Sequence, residues 1–406
     1  MIKEIIYSLK RVYHFFKTGL LDGLKAEITY NFPAKKLTIL TITGTDGKTT
    51  SSTMLYEVLK VANIKVALLS TVAAYLGDEK IDTGFHVTSP QPKDLQEFMR
   101  KMVDLGYTHL VLEVTSHGAY QYRTWGVTPT VAGVTNIAHE HLDYHLTYDK
   151  YLRAKSLILK KAPIVVLNAD DQSYYKLADK IPVDRTVITY SANASLPKNV
   201  TSAIRKKFSE LYNQQNARLV YAMAKAAHID DKDFIKGIKK FAGIPGRMEK
   251  VDVKKPFEVI VDFAHTPQGL EAALSALKKK LSNKGRLIAV FGCAGLRDFK
   301  KRPIMGKIAT EIADICIFTA EDPRTEDVWS IIRQMKEQLT TGHNRIISIA
   351  DRREAIHFAI NSVAKKSDII GIFGKGHETS MCYGTTEYPW SDQDAVKVAS
   401  LAKAGK

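Results

Sequence analysis

Residues 37–50 read Leu-Thr-Ile-Leu-Thr-Ile-Thr-Gly-Thr-Asp-Gly-Lys-Thr-Thr, and this stretch decides the fold. An apolar, β-branched run ends in a glycine loop, and a helical pattern follows from Ser51 to Leu59. A strand, a glycine turn and a helix in that order form a phosphate-binding loop, because N–H groups at the helix start point at the anion. In such a loop Lys48 contacts the outer phosphates, and the hydroxyl of Thr49 is placed to bind magnesium.

The loop has the short form G-x-x-G-K-T, because Ile42 stands where the common phosphate loop has its first glycine. The plainer alternative is a glycine turn with a surface lysine between a strand and a helix. The strand context, the lysine and the paired threonines coincide, and this coincidence favours the phosphate loop.

The composition is that of a globular protein, and its charge is strongly basic. The 406 residues include 59 Lys and Arg against 43 Asp and Glu, for a formal net charge of +16. Such an excess favours anionic partners. The sequence has no aromatic-interleaved basic patch and no zinc-finger or homeodomain spacing, so we expect a nucleotide-linked substrate and no nucleic-acid partner.

The three cysteines, Cys293, Cys316 and Cys382, are far apart in the sequence. Their number and spacing argue against a disulfide framework and a zinc site and indicate a reducing compartment. No apolar run reaches the ~18 residues of a membrane span, and no signal-peptide pattern is present. We therefore expect a cytoplasmic protein, and a monomer.

Residues 1–30 mix apolar side chains with lysine and arginine. This pattern predicts one amphipathic helix and a second, short helix after Gly19. A basic amphipathic helix can lie on a membrane surface, but such helices more often pack on their own domain, and we expect packing here.

Strand and helix patterns alternate over the rest of the chain, which predicts an α/β fold. The expected architecture is a helical segment (1–36), a central P-loop-type domain with a mostly parallel sheet (37–243) and a C-terminal Rossmann-like α/β domain (244–406), with a hinge at 244–246. Strands are predicted at 37–43, 65–70, 108–113, 130–135, 163–168, 186–190, 257–262, 285–292, 314–319, 345–349 and 368–373. Helices are predicted at 48–61, 92–105, 148–160, 205–227 and 231–241.

Several charged loops follow these strands, where ligands of parallel sheets bind. Glu113 ends an apolar strand, and an acid in that position holds magnesium in phosphate-loop enzymes. Residues 136–145 contain three histidines and two acids, which suit a contact to magnesium or phosphate better than a zinc site; a polar capping loop is the alternative. Lys155 lies in an amphipathic helix, and its residue pattern alone indicates a solvated lysine. Four strand ends after residue 244 carry acids and arginines, which suits a zwitterionic ligand.

Together these motifs resemble the Mur ligases, and within them the MurE type, which adds an amino acid to a UDP-N-acetylmuramoyl peptide. The resemblance runs from about residue 37 to the end. The motifs that carry it are GTDGKTT (44–50), TSP (88–90), EVTSH (113–117), TNIAHEHLDYH (135–145), YLRAKS (151–156), PGRME (245–249), DFAHTP (262–267), FGCAGLRD (291–298), KRPIMG (301–306), EDPRTED (321–327) and GKGHE (374–378).

The resemblance implies an ATP-dependent and Mg²⁺-dependent amide ligase of peptidoglycan precursor synthesis, which forms an acyl phosphate. It implies that the catalytic residues are Lys48, Glu113, His141 and Lys155. It assigns magnesium to Thr49, Glu113, His141 and Lys155, the last of these being carbamylated in the family. It assigns ATP to Gly44, Thr45, Asp46, Gly47, Lys48, Thr49, Thr50, Asn216, Arg247 and His265. It assigns binding of the UDP-muramyl peptide to Thr88, Ser89, Ser116, Gln121 and Arg123. It assigns binding of the incoming amino acid to Arg297, Asp322, Arg324, Gly374 and Glu378.

Some positions depart from the family pattern. Only residues 1–36 precede the first strand, where the family has a uridine-binding domain. We therefore expect that UDP is bound in a different way or that the substrate has a different carrier group. Asp322 replaces a neutral amide of the family, whereas Arg324 is kept. The arginine favours an incoming amino acid with a second carboxylate, and the aspartate favours an amino acid whose side chain carries only an amine. A related ligase acting on another carboxylate carrier and a non-catalytic nucleotide-binding scaffold are the alternative functions.

Overall fold

The computed structural model describes residues 2–72, 74–77, 79–81, 89–138, 140–339 and 345–401. Contacts group the chain into two units, Met1–Ala242 and Gly243–Lys406. Each unit is built on one mostly parallel sheet, so the predicted α/β fold class is confirmed.

The first unit contains an eight-stranded sheet with the order β4-β3-β2-β5-β1-β6-β7-β8. Its strands are β1 (Thr38–Thr43), β2 (Val66–Leu69), β3 (Ala74–Leu76), β4 (Glu79–Ile81), β5 (His109–Glu113), β6 (Val131–Val134), β7 (Ile164–Asn168) and β8 (Thr186–Tyr190). The strands β3 and β4 pair antiparallel and were not predicted. Because β1 lies between β5 and β6, the loops after these three strands meet at one edge of the sheet.

The helices of the first unit cover both faces of this sheet. They are α1 (Ile2–His14), α2 (Leu24–Thr29), α3 (Lys48–Val61), α4 (Pro92–Asp104), α5 (Ser116–Tyr120), α6 (Leu142–His145), α7 (Tyr148–Leu159), α8 (Tyr174–Ala178), α9 (Lys198–Lys207), α10 (Leu211–Ala226) and α11 (Asp231–Lys240). Helices α4 and α7 share one apolar core with the sheet. On α10, Leu219 and Met223 pack against Gly133 of β6, where an added Cβ would lie 2.5 Å from the Met223 sulfur.

Two helix predictions are wrong in detail. The predicted helix 205–227 is two helices, because Phe208 turns into extended backbone and buries its ring near Phe241. Gly19 does not interrupt the N-terminal helix: α1 continues as a π-helix over Phe15–Gly23 and then as α2. Gly19 and Gly23 instead provide room for Trp125, whose ring atoms lie within 2.6 Å of an added Cβ at either position.

The second unit contains a six-stranded sheet of order β13-β12-β11-β14-β10-β9 and a separate hairpin, β15-β16. Its elements are β9 (Glu249–Val251), β10 (Glu258–Asp262), α12 (Pro267–Lys280), β11 (Leu287–Phe291), α13 (Lys301–Ile312), β12 (Ile315–Phe318), α14 (Val328–Met335), β13 (Arg345–Ser348), α15 (Arg352–Phe358), a π-helix (Ala359–Val363), β14 (Ile369–Phe373), β15 (Ser380–Tyr383), β16 (Thr386–Pro389) and α16 (Asp392–Leu401). Alternate residues of β11 enter two apolar cores, one against α12–α14 and one against α15 and α16. Within the described ranges no helix is both long and apolar enough to cross a membrane.

Candidate active site

The glycine loop between β1 and α3 is held by the segment that follows β6. The N–H of Thr45 donates to the Asn136 carbonyl (2.8 Å), and the N–H of Asp46 donates to Asn136 Oδ1 (3.0 Å). The Thr135 hydroxyl donates to the Asp46 carbonyl at 2.6 Å. Gly44 has φ +150°, and an added Cβ there would lie 1.8 Å from Thr135 Oγ1. The loop conformation therefore depends on a glycine at this position.

The start of α3 adopts the geometry of a phosphate-binding loop. Gly47 precedes the helix with φ +78°. A Cβ at Gly47 would lie 2.4 Å from Oδ1 of the buried Asn216, so α10 brings Asn216 against the loop. Thr50 is half-buried in the first turn of α3. The free N–H groups of this helix start make the loop suited to an anion.

A buried carboxylate joins this helix to the neighbouring strand. Thr49 Oγ1 donates to Glu113 Oε2 at 2.9 Å, and Glu113 is 1% exposed. Thr71, which follows β2, donates its N–H (3.0 Å) and its hydroxyl (2.8 Å) to the same carboxylate. Lys48 folds back onto the loop and donates to the Thr45 carbonyl at 2.7 Å. These contacts bring together the lysine, the hydroxyl and the acid that the sequence assigned to one site.

Lys155 is buried beside the same loop, so the interpretation of its pattern as a solvated lysine is wrong. The ammonium nitrogen contacts the Gly44 carbonyl and lies 4.6 Å from the centre of the Tyr151 ring. Burial, with the nearby charge of Lys48, holds the Lys155 pKa well below its usual value. Both effects disfavour the charged form of this side chain. Tyr151 in turn shares a hydrogen bond of 3.0 Å with the Thr45 hydroxyl.

His141 lies near Tyr151, the residue that bonds to the loop. Its ring centre is 6.1 Å from that of Tyr151 and 4.8 Å from that of His117, and its Nε2 lies 3.6 Å from Glu140 Oε2. His141 has φ +54° at the start of α6. The structure thus places His141 and Lys155 near the same aromatic ring.

The residues predicted to bind the muramyl peptide gather around α5. Ser89 Oγ lies 3.0 Å from Thr115 Oγ1, and Arg123 donates to the Ser89 carbonyl at 3.0 Å. Gln121 donates to the Tyr144 hydroxyl at 2.9 Å. Thr88, also predicted here, lies outside the described residues.

Ser116 belongs to a buried chain of hydrogen bonds that reaches the N-terminal helix. His145 Nε2 lies 3.1 Å from Ser116 Oγ, and His145 Nδ1 lies 3.0 Å from the hydroxyl of Tyr7. Burial, assisted by the neighbouring His117, His141 and Lys155, lowers the pKa of His145 to about 2. The imidazole is therefore neutral, and one ring nitrogen donates while the other accepts.

In the second unit, Arg247 and His265 lie around the Phe263 ring. The Arg247 guanidinium lies 4.4 Å from the ring centre, and the imidazoles of His265 and His377 lie 4.5 and 4.9 Å from it. Burial lowers the pKa of His377 to about 3, so this imidazole is neutral as well.

The predicted amino-acid residues of the second unit also come together. Asp322 accepts from Lys375 Nζ (2.8 Å) and from the Cys382 N–H (3.0 Å), and it lies 3.8 Å from Arg324 Nη2. Lys375 also pairs with Glu378 at 2.5 Å, and a Cβ at Gly374 would lie 2.6 Å from Glu321 Oε2.

Two loops of this cluster are fixed by buried hydrogen bonds. Arg324 Nη1 donates at 2.7 Å to the carbonyl of Gly295, which lies on the same loop as the exposed Arg297. Arg352, buried and paired with Asp392 at 2.7 Å, donates to the Ala320 and Phe373 carbonyls. Arg352 thereby links the loop after β12 to the end of β14, across β11, which lies between these two strands.

The oxygens of Thr49 and Glu113 suit magnesium. They are hard ligands, and Mg²⁺ commonly takes one or two such groups and completes its shell with water and substrate phosphates. In the described ranges no group of three or more His, Cys, Asp or Glu could by itself hold a metal ion. Thr49 and Glu113 therefore fit an ion that is shared with a bound nucleotide.

Sequence reasoning missed several residues that shape these sites. Thr71 stands in no pattern that distinguishes it from an ordinary surface residue. Lys375 lies in the GKGHE motif, and Asn136 lies in the TNIAHEHLDYH motif two residues after β6; these motifs were the available signals. Tyr7 and Tyr151 lie on amphipathic helices, where an aromatic residue predicts only packing.

Comparison with known proteins identifies the family. The Mur ligase middle domain matches residues 42–229, and the glutamate ligase domain of Mur ligases matches residues 246–376. A UDP-N-acetylmuramoyl-L-alanyl-D-glutamate--2,6-diaminopimelate ligase of Clostridium botulinum is 36% identical over 368 residues, which cover 86% of this chain and 75% of that protein. The chain belongs to the Mur ligase family. The enzyme of the same name from Bacillus licheniformis is 36% identical to this Mur ligase over 399 residues, covering 92% and 80% of the two chains.

Solved structures agree with the family assignment. This Mur ligase resembles a UDP-N-acetylmuramoyl-L-alanyl-D-glutamate--2,6-diaminopimelate ligase with a TM-score of 0.57 and 29% identity, over 90% of this chain and 78% of the other. The folylpolyglutamate synthase of Mycobacterium tuberculosis shares the fold, with a TM-score of 0.69 at 17% identity over 91% and 96% of the chains.

The buried, neutral His145 predicts a specific loss of stability in acid. An unfolded histidine has a pKa near ~6.5, so below that pH the unfolded chain binds a proton that the folded chain does not. The free energy of unfolding of this Mur ligase must therefore fall as the pH drops from about 6.5. Between pH 7 and pH 5 we expect the free energy of unfolding of His145→Asn to fall by about 2 kcal/mol less than that of the wild type.

Urea unfolding followed by circular dichroism measures this difference. The exposed His357 supplies the control, since His357→Asn should lose as much stability in acid as the wild type. Equal acid losses in His145→Asn and wild type would contradict a neutral imidazole in the folded state.

Proposed function

We propose that this chain is an ATP-dependent ligase that joins the amine of an amino acid to a carboxylate of a UDP-N-acetylmuramoyl peptide, in peptidoglycan precursor synthesis. The observation that carries the proposal is the convergence of Lys48, Thr49, Glu113 and Lys155 on one glycine loop. The relatives support it, since their names describe ligation of 2,6-diaminopimelate to UDP-N-acetylmuramoyl-L-alanyl-D-glutamate.

The reaction consists of two displacements. A carboxylate oxygen of the peptide attacks the γ-phosphorus of ATP, and the bond from that phosphorus to the bridging oxygen breaks to release ADP. The amine nitrogen then attacks the acyl carbon, loses a proton and expels inorganic phosphate. The protein mainly positions the reactants and neutralises charge. Lys48 would hold the outer phosphates, and Arg247 and Asn216 would contact the nucleoside.

Thr49 and Glu113 would hold magnesium, with His141 and Lys155 serving a second ion. Magnesium, when bound, neutralises charge on the phosphoryl oxygens. An ammonium at Lys155 would repel a cation, whereas a carbamate, formed when the neutral amine adds to CO₂ and loses a proton, would attract it. The lowered pKa of Lys155 supports the carbamate, because only the neutral amine reacts with CO₂.

Product formation tests the proposal directly. The protein is incubated with magnesium, ATP, UDP-muramyl dipeptide and a panel of amino acids, and phosphate release and product mass are followed. We expect phosphate only when both the peptide and an amino acid are present. Lys48→Ala should lose at least ~10²-fold in kcat, because it removes a charge that stabilises the transferring phosphoryl group.

Two outcomes of this assay would contradict the ligase. No turnover at all would leave the non-catalytic nucleotide-binding scaffold, and ATP turnover that is indifferent to both substrates would leave an ATPase without ligase activity. Lys60→Ala, on the far end of α3, is the matched control and should retain full activity.

The carbamate at Lys155 is tested by ¹³C NMR in ¹³C-bicarbonate. We expect a carbamate signal in the wild type that is lost in Lys155→Gln, together with an activity loss of about 10- to 100-fold, as for residues that support a metal site. The exposed Lys160 provides the control, and Lys160→Gln should keep the signal. A wild-type protein that is fully active without any such signal would contradict the carbamate.

For the incoming amino acid, a diamino dicarboxylic acid such as diaminopimelate is favoured over lysine. Asp322 already pairs with Lys375 and lies near Arg324, so little of its charge remains for a substrate amine. Arg324 can hold a second carboxylate in the bidentate geometry of guanidinium. Glu378 also pairs with Lys375, but its side chain is more exposed than that of Asp322, so it is the acid that we propose for the ammonium group.

Arg324→Ala should raise the KM for the dicarboxylic amino acid by about tenfold or more, since it removes a charge-assisted hydrogen-bond pair, and should leave the KM for ATP unchanged. Initial rates at varied amino-acid concentration measure this effect. Arg333→Ala, which removes an exposed arginine of α14, should leave both constants unchanged. An unaltered KM for the amino acid in Arg324→Ala would remove Arg324 from the pocket.

A further inference from the structure

A pocket of about 500 Å³ lies between the N-terminal helix and the helices α5 and α7. Helix α1 contributes Tyr7 and Arg11, the end of α5 contributes Tyr120, and α7 contributes Lys150 and Arg153. We call it the N-terminal pocket. None of these five residues belongs to the nucleotide loop or to the predicted amino-acid site.

Aromatic rings form much of the wall of the N-terminal pocket. Tyr7 and Tyr120 face each other with ring centres 4.6 Å apart, and Phe15 and Tyr122 lie 5.5 Å apart. Phe15 is 36% exposed, so its ring is open to solvent. An aromatic wall suits a planar heterocycle, because any nucleobase can stack on an aromatic side chain.

Three cationic side chains line the same pocket, and no carboxylate is among the described residues that line it. Lys150 lies 3.1 Å from Glu4, an exposed acid outside the pocket. Arg11 lies 6.0 Å from the centre of the Tyr122 ring, and Arg153 is exposed; across the described ranges neither arginine has an ion pair with a carboxylate. Guanidinium groups bind phosphate oxygens in a bidentate manner, so the two arginines suit a diphosphate.

The N-terminal pocket is connected to the predicted muramyl-peptide loop. Tyr120, in its wall, is the last residue of the short helix that begins at Ser116. Tyr7, which contacts Tyr120 from α1, reaches Ser116 through His145 by hydrogen bonds of 3.0 and 3.1 Å. A ligand in the pocket would therefore lie next to the helix that is expected to hold the peptide end of the same substrate.

We propose that the N-terminal pocket binds the nucleoside diphosphate end of the carrier, with the base against the tyrosine and phenylalanine rings and the diphosphate on Arg11 and Arg153. The identity of the carrier rests on the proposed function; the chemistry of the pocket does not. The aromatic walls and the adjacent arginines together favour a nucleoside diphosphate over a prenyl diphosphate, which shares only the charged group.

Calorimetric titration of UDP onto the full chain tests this site without any catalysis. A non-hydrolysable ATP analogue is kept at saturation, so that UDP cannot occupy the Gly44–Lys48 loop. We expect UDP to bind the wild type and to bind Arg11→Ser/Arg153→Ser at least about tenfold more weakly, since two charge-assisted contacts are lost. The control Lys10→Ser/Lys160→Ser removes the same charge from exposed positions outside the pocket and should bind UDP like the wild type.

Kinetics provide the second readout. In the arginine double variant the KM for the UDP-muramyl peptide should rise by a similar factor, while kcat and the KM for ATP stay unchanged. If no acceptor supports ligation but UDP binding still depends on Arg11 and Arg153, the proposed function is contradicted, whereas the assignment of the N-terminal pocket as a UDP site is supported. Equal UDP affinity in the wild type and the arginine variant, or tighter binding of geranyl diphosphate than of UDP, overturns the assignment.

Discussion

The carboxylate of Glu113 is the contact on which the first unit depends. It is buried at the end of β5 and accepts hydrogen bonds from Thr49 and from both donors of Thr71. A buried carboxylate is stable only when its oxygens are paired, so the loop after β2 and the start of α3 must come to it. The phosphate loop is thereby fixed before any ligand binds, and catalysis by positioning requires such a preformed site.

Parallel sheets make this arrangement possible in both units. Because all neighbouring strands of β1 run in its direction, their loops meet at one edge, and residues far apart in sequence become neighbours. In the second unit a buried cation holds the strand ends: Arg352, paired with Asp392, donates to the carbonyl of Ala320, after β12, and to that of Phe373, the last residue of β14. One unit uses a buried acid and the other a buried base to hold strand-end loops in place.

The elements and the first-unit loop were predictable from the sequence because each depends on local pattern: β-branched runs, helical periodicity and the glycine-lysine-threonine turn. The burial of Lys155 was not predictable, because a lysine on an amphipathic helix has the same pattern whether its nitrogen reaches solvent or the Gly44 carbonyl. The break at Phe208 and the continuation of the helix past Gly19 were missed for a related reason. Both depend on rings from distant segments, Phe241 in one case and Trp125 in the other.

His145 shows why a neutral buried group can connect two parts of a substrate site. An imidazolium has two donors, and both Ser116 and Tyr7 would then have to accept. The neutral ring donates to one hydroxyl and accepts from the other, and either tautomer gives a continuous hydrogen-bond chain from α1 to α5. Desolvation keeps the imidazole neutral, and the chain joins the N-terminal helix to the loop expected to hold the peptide. Arg11 lies one turn beyond Tyr7 on the same helix, so the hydrogen bond of Tyr7 to His145 also anchors the part of α1 that lines the N-terminal pocket.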